Sequence, residues 1–200
     1  MSDRLPTVDA VTLTSLTTLW SHEGAAADLV RALKYRRRTG AVTVVADELA
    51  AILPEVDLIT WAPASRAARP RRGFDQAELL ARAIAARAGL PCRRLLVRAR
   101  GPAQTQRNGI GRRTGPQVRG RGRVPPGARV LVVDDVVTTG ATLEAAAAAL
   151  RDLGAGVVHG AAATRATHRF AGAVSVQGVR SRGTPEHGGT RWTSPSAHGT

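Results

Sequence analysis

The chain is short of cysteine, lysine, aromatic residues and acids. A single cysteine, Cys92, among 200 residues excludes an internal disulfide framework and any multi-cysteine zinc site, and it fits a reducing cytoplasm. Aromatic residues make up 3% of the chain, which leaves few stacking platforms for single-stranded nucleic acid. No apolar stretch approaches the roughly 18 uninterrupted residues of a membrane span. The start, MSDRLPTVDAVTLT, lacks the basic-then-apolar layout of a signal peptide. These absences predict a soluble cytoplasmic protein with no membrane partner. His22, His159, His168 and the tail histidines show no metal spacing, and Cys92 follows a proline with no base in sight.

What is present narrows the field. An apolar content of 43% suits one compact domain with a sizeable core. The net charge of +14, from 29 basic against 15 acidic residues, implies an anionic partner: nucleic acid, a phosphorylated metabolite or an acidic surface. Lys34 is the only lysine, so the charge is nearly all guanidinium, which favours planar bidentate contacts to phosphate. A biased gene composition would give the same skew.

Apolar periodicity gives the order of elements. AAADLVRALKYRRR (25–38) puts Leu29, Val30, Leu33 and Tyr35 near helical spacing, with a basic last turn that suits the helix dipole. VDLITWA (56–62) is a short strand closed by Pro63, and DQAELLARAIAARAG (75–89) is a helix with Asp75 as N-cap and Gly89 just past its end. RRLLVR (93–98) is a weak strand and RVLVVDD (129–135) a strong one. ATLEAAAAALRDLGA (141–155) is a helix ending at Gly154, and GVVHGAAAT (156–164) is a further strand. Strands alternating with helices at this spacing predict an α/β fold with a mainly parallel sheet flanked by helices. Residues 100–123 hold many arginines and glycines and no acid, which predicts a mobile loop. From about 173 onward the chain is polar and without period, as in a disordered tail.

The chemistry concentrates in VLVVDDVVTTGAT (130–142). Ligands of open α/β sheets bind beyond the carboxyl ends of the strands, which is where Asp134 and Asp135 fall. Gly140 allows a tight turn, and the amides of 138–142 then point outward at a helix start, forming an anion site. The hydroxyls of Thr138, Thr139 and Thr142 add donors, while ionised carboxylates only accept hydrogen bonds and so suit paired sugar hydroxyls. Acids beside a phosphate cradle suggest a ribose 5-phosphate held at both ends. A nucleotide-hydrolase acid pair would need a GxxxxGK[ST] loop, and the only lysine lies in ALKYR. A response-regulator pocket would need later Asp and Lys positions that the chain does not supply. A merely capped strand end would leave adjacent acids at a buried terminus without a partner, which is costly.

The stretch resembles the ribose-phosphate loop of type I phosphoribosyltransferases, the enzymes that use phosphoribosyl pyrophosphate (PRPP), and its pattern of two acids, two aliphatics and Thr-Thr-Gly-x-Thr is close to the orotate-type version. Purine-salvage members carry an aspartate at the position of Thr138, so the threonine counts against purine salvage. RPRRGFDQAELLARAIAARAGLP (69–91) and ALKYR (32–36) resemble segments of the ComF family, the competence-associated phosphoribosyltransferase-like proteins. The combined resemblance covers roughly residues 20–165. The cysteine-rich zinc module with which that family usually begins does not occur in this sequence.

The resemblance implies a type I phosphoribosyltransferase-like fold and displacement of pyrophosphate from C1 of PRPP by a nitrogen nucleophile. Mg²⁺ would ride on the pyrophosphate. Asp134, Asp135, Thr138, Thr139, Gly140, Ala141 and Thr142 would hold PRPP. Ser65, Arg66, Arg69 and Arg72 fall in the pyrophosphate loop, along with Arg71; a solvated basic turn is the other reading of these arginines. Gly73, Phe74 and Gln76 suit either the site or family structure, Phe74 as a packing anchor and Gln76 as a first-turn donor. Residues 100–123 take the place of the flexible catalytic hood, with Gln104, Arg107, Arg112 and Arg113 as candidates and Arg112 and Arg113 as the catalytic pair. RGRGR (119–123) would instead suit non-specific nucleic-acid binding. The implied division is an N-terminal extension (1–24), a phosphoribosyltransferase-like domain (25–172) and the tail (173–200). The acceptor stays open, because base contacts in this superfamily come from variable hood segments. The competing function is a PRPP-fold binding protein, regulatory or associated with DNA uptake, that has lost turnover.

Overall fold

The computed structural model describes residues 12–33, 39–64, 75–99, 118–166 and 176–177. Its longest strands come from the runs read as strands at 129–135 and 156–164: Arg129–Val137 becomes β5 and Val157–Arg165 becomes β6, with β1 (Ser15–Ser21), β2 (Leu58–Trp61) and β7 (Val176–Gln177) completing a sheet. All pairings within this sheet are parallel and the order is β2-β5-β6-β1-β7. β3 (Leu96–Arg98) and β4 (Val118–Gly120) pair antiparallel in a separate two-stranded ribbon.

Alternation along the strands splits the core in two. Leu58, Val130, Val132, Val158 and Ala162 join one apolar cluster together with Leu143, Ala146 and Leu150 of α4 (Ala141–Asp152). Ile59, Leu131, Val133, Ala161 and Ala163 join the other, with Val30 of α1 (Gly24–Leu33), Val45, Ala46 and Leu49 of α2 (Thr39–Ala50), and Leu80 and Ile84 of α3 (Gln76–Ala88). Both faces are therefore covered, as parallel sheets require. The molecule is the expected α/β fold, a mainly parallel sheet flanked by helices.

The caps of α3 are those read from the sequence. Asp75 in extended conformation accepts the Ala77 amide, and Gly89 at φ 66° closes the helix in the left-handed region. The strand and helix ends move by one to a few residues; α4 stops at Asp152, with Leu153 as C-cap.

Four elements differ from the sequence-based expectation. β1 lies in the stretch expected to be an N-terminal extension, yet it is a strand paired on both sides, with β6 and β7. α2 arises from TGAVTVVADELA, a sequence of low helix propensity that is held by packing of Val45, Ala46 and Leu49, all wholly buried. β4 occupies residues 118–120 of the expected loop, and β7 occupies residues 176–177 of the expected disordered tail.

Unequal strand lengths make the groove. β2 ends its pairing with Trp61 opposite Val133, and the Ala62 amide still donates to Val133 O at 2.9 Å. β5 continues through Asp134 to Val137, paired only with β6 on its other side. The chain at Ala62–Ala64 thus diverges from β5 where the acids begin.

Candidate active site

The divergence opens a cleft of about 210 Å³ lined by Ala62, Pro63 and Ala64 after β2, Asp75, Gln76 and Ala77 at the start of α3, Arg98 at the end of β3, and Asp134, Asp135, Val136 and Thr142. A second hollow of about 30 Å³ lies against Thr138, Thr139, Gly140, Ala141 and Thr142, and it shares Asp134, Val136 and Thr142 with the first. Two hollows with a common wall form one elongated site at the carboxyl edge of the sheet.

The 138–142 turn is built as an anion cradle. Gly140, at φ 78°, adopts a conformation that side chains disfavour, and it starts α4 without any side-chain cap. The first amides of α4 are left with few partners: Glu144 N bonds Gly140 O at 3.0 Å, and Ala141 N reaches Thr139 Oγ1 only at 3.4 Å. Thr138, Thr139 and Ala141 are exposed, Thr142 half-buried and Gly140 buried. Free helix-start amides beside three hydroxyls can bind a phosphate.

The acids sit where charge is costly. Asp134 keeps part of its residue surface, but its carboxyl group is enclosed. Burial first, and then the neighbouring charge of Asp135, push its pKa well above the usual carboxylate value. The Asp135 amide donates to Asp134 Oδ1 at 2.8 Å and opposes that shift, and the Val136 amide donates to Asp135 Oδ1 at 2.9 Å. Across the cleft, Asp75 Oδ1 accepts the Ala77 amide at 3.1 Å and Oδ2 the Ala64 amide at 3.2 Å. Asp75 therefore ties the exit of β2 to the start of α3. Burial raises its pKa, and the backbone hydrogen bonds partly offset this.

The donor side of the cleft is unsatisfied. Gln76 is 7% exposed, and its Nε2, like Arg98 Nε, is a buried polar atom without a hydrogen-bond partner among the described residues. Sequence reading offers Gln76 only as a possible first-turn donor, and it passes over Arg98, the last residue of a weak strand. No periodicity marks a side chain that turns inward at an element's end.

The structure thus brings together Asp134, Asp135, Thr138, Thr139, Gly140, Ala141 and Thr142 of the expected set. Ser65, Arg66, Arg69, Arg71, Arg72, Gly73 and Phe74 lie outside the described residues, as do Gln104, Arg107, Arg112 and Arg113. His22 and His159 are engaged elsewhere: His22 Nδ1 lies 2.8 Å from Thr164 Oγ1 and His159 Nδ1 lies 2.7 Å from Ser15 Oγ. Burial raises the thiol pKa of half-buried Cys92. Among the described residues no helix is long and apolar enough to cross a membrane, and no group of three His, Cys, Asp or Glu could hold a metal.

No curated protein matches the chain. Among solved structures it is similar to adenine phosphoribosyltransferase from Thermoanaerobacter pseudethanolicus, with 25% identity over 60% of this chain and 67% of that one and a TM-score of 0.42. A hypothetical protein from Neisseria gonorrhoeae with bound ppGpp is 16% identical over 82% of this chain and 80% of that one, with a TM-score of 0.44. Orotate phosphoribosyltransferase from Aeropyrum pernix is 23% identical over 62% of this chain, with a TM-score of 0.39, and the match spans 58% of that chain. The family model of the phosphoribosyl transferase domain matches residues 70–170, just over half of the chain, including the Asp134–Thr142 segment. The chain belongs to the phosphoribosyl transferase domain family.

Proposed function

We propose that the protein is a phosphoribosyltransferase of the ComF type that binds PRPP and transfers its phosphoribosyl group to a nitrogen nucleophile. The nucleophile's lone pair forms the bond to C1, the C1–O bond breaks, pyrophosphate leaves with the electron pair, and the N–H proton passes to solvent. Asp134 and Asp135 accept from the ribose hydroxyls, while the 138–142 amides with Thr138, Thr139 and Thr142 hold the 5-phosphate. Ser65, Arg66, Arg69 and Arg72 take the pyrophosphate, and Arg112 and Arg113 close over it as the catalytic pair. Catalysis is then positioning and charge stabilisation. When bound together with PRPP, Mg²⁺ would supply counter-charge for the leaving pyrophosphate; among the described residues no group of three His, Cys, Asp or Glu would hold it independently of the substrate.

The observation that carries this reading is the continuity of acids and cradle. Asp134, toward the carboxyl end of β5, and Thr142, in the first turn of α4, line both hollows, so that acids and cradle border one continuous site. We further propose that the protein works in the cytoplasm. The test is to incubate the chain with PRPP, Mg²⁺ and a panel of nitrogen bases and to measure pyrophosphate release. Base-dependent release supports transfer, and its absence with every base sinks the catalytic part of the reading.

The net charge of +14 favours one second reading, a PRPP-fold binding protein associated with DNA uptake. It keeps the same sugar-phosphate site and dispenses with turnover.

A further inference from the structure

Native proteins leave few buried polar groups unpaired, and each that remains asks for a cause. Here two occur among the described residues, Gln76 Nε2 and Arg98 Nε, and both residues line the same 210 Å³ cleft. The nearby acids do not serve them. Asp75 is turned to the amides of Ala64 and Ala77, and Asp134 and Asp135 take the amides of Asp135 and Val136. The two atoms come from different elements: Gln76 is the first residue of α3, and Arg98 is the last of β3. Both are donors only at these atoms. The cleft therefore has an acceptor side, the carboxylates, and a donor side whose partners the described residues do not supply.

We propose that Gln76 and Arg98 form a paired-donor subsite for an oxygen-bearing part of the ligand that lies beyond the ribose. The proposal rests on the reading of the cleft as a PRPP site. Ribose hydroxyls match the acceptor side, so the donor side faces oxygen lone pairs, supplied by the diphosphate of PRPP or by a carbonyl of the acceptor. Donors fixed at the ends of a helix and a strand lose little freedom when the ligand arrives, and the ligand-free protein bears the cost of leaving them unpaired.

That cost gives the test a sign that a structural role would reverse. In full-length Gln76→Met the orphaned amide is replaced by an apolar group of similar shape, so the ligand-free protein unfolds roughly 2–4 °C higher than wild type. Calorimetry then compares ribose 5-phosphate, PRPP with Mg²⁺, inorganic pyrophosphate with Mg²⁺, and uracil in the presence of ribose 5-phosphate. Ribose 5-phosphate binds Gln76→Met and Arg98→Met as it binds wild type. The oxygen-bearing ligand binds about tenfold or more weakly: PRPP and pyrophosphate together if the diphosphate is the partner, uracil alone if the acceptor is.

Lower melting of Gln76→Met with every ligand bound as in wild type would show a structural partner for the amide and overturn the proposal. So would parallel weakening of all four ligands. Wild-type protein that binds neither PRPP nor ribose 5-phosphate would overturn the reading of the cleft itself, whereas intact wild-type binding with indifferent variants would overturn the donor pair alone.

Discussion

In its proposed role Asp134 meets two opposed demands. Enclosure and the charge of Asp135 favour its neutral form, whereas a carboxylate accepting ribose hydroxyls must be ionised. Because its folded pKa lies above the unfolded value near 3.8, its contribution to stability is complete below that value and is lost as pH rises through the folded one. Asparagine cannot ionise, so Asp134→Asn should remove this loss and make ligand-free stability less sensitive to rising pH. PRPP affinity should do the reverse. In wild type it should climb with pH as Asp134 ionises, and the variant should lack that component and bind more weakly by roughly 1.5–3 kcal/mol for each charge-assisted bond removed. Titration calorimetry at a series of pH values compares the two; equal pH profiles would remove Asp134 from the binding role. The acid pair is legible in the sequence because two carboxylates after an aliphatic strand have few structural uses. Gln76 and Arg98 are not, since a glutamine in a first turn reads alike whether it meets solvent or a cleft.

At the scale of elements, the start of α4 carries the proposed phosphate cradle. Gly140 sits at φ 78° with no side-chain cap, so Gly140→Ala should cost about 1–2 kcal/mol of stability through left-handed strain. It should also weaken PRPP, because the amides of 141 and 142 shift with the turn. Unchanged thermal unfolding would mean that the turn tolerates a Cβ. This helix, α3 with its Asp75 and Gly89 caps, and β2, β3, β5 and β6 can be read from periodicity and turn chemistry. β1 cannot, for LTTLWS alternates weakly and its place is set by pairing with β6 and β7. α2 is hidden because Val42, Thr43, Val44 and Val45 favour strands locally, and burial against α3 and the sheet decides otherwise. β4 is a three-residue strand defined only by its partner β3.

For the whole molecule, the charge of +14 has two candidate uses, a catalytic hood and a nucleic-acid surface. If Arg112 and Arg113 belong to a hood, changing both to alanine should lower turnover far more than ground-state PRPP affinity, since closure matters most in the transition state. If they serve nucleic acid, turnover should be untouched, while DNA binding weakens for all sequences and its salt dependence flattens by about one unit of slope for each phosphate no longer neutralised. Both functional readings, transferase and PRPP-fold binding protein, require the carboxyl edge of the sheet to bind PRPP through the acid pair and the α4 cradle. Titration calorimetry of PRPP with Mg²⁺ against wild type and Asp134→Asn/Asp135→Asn measures that binding. Wild type should bind saturably and the double variant markedly more weakly; no heat of binding to wild type at millimolar PRPP would mean that this edge is not a PRPP site.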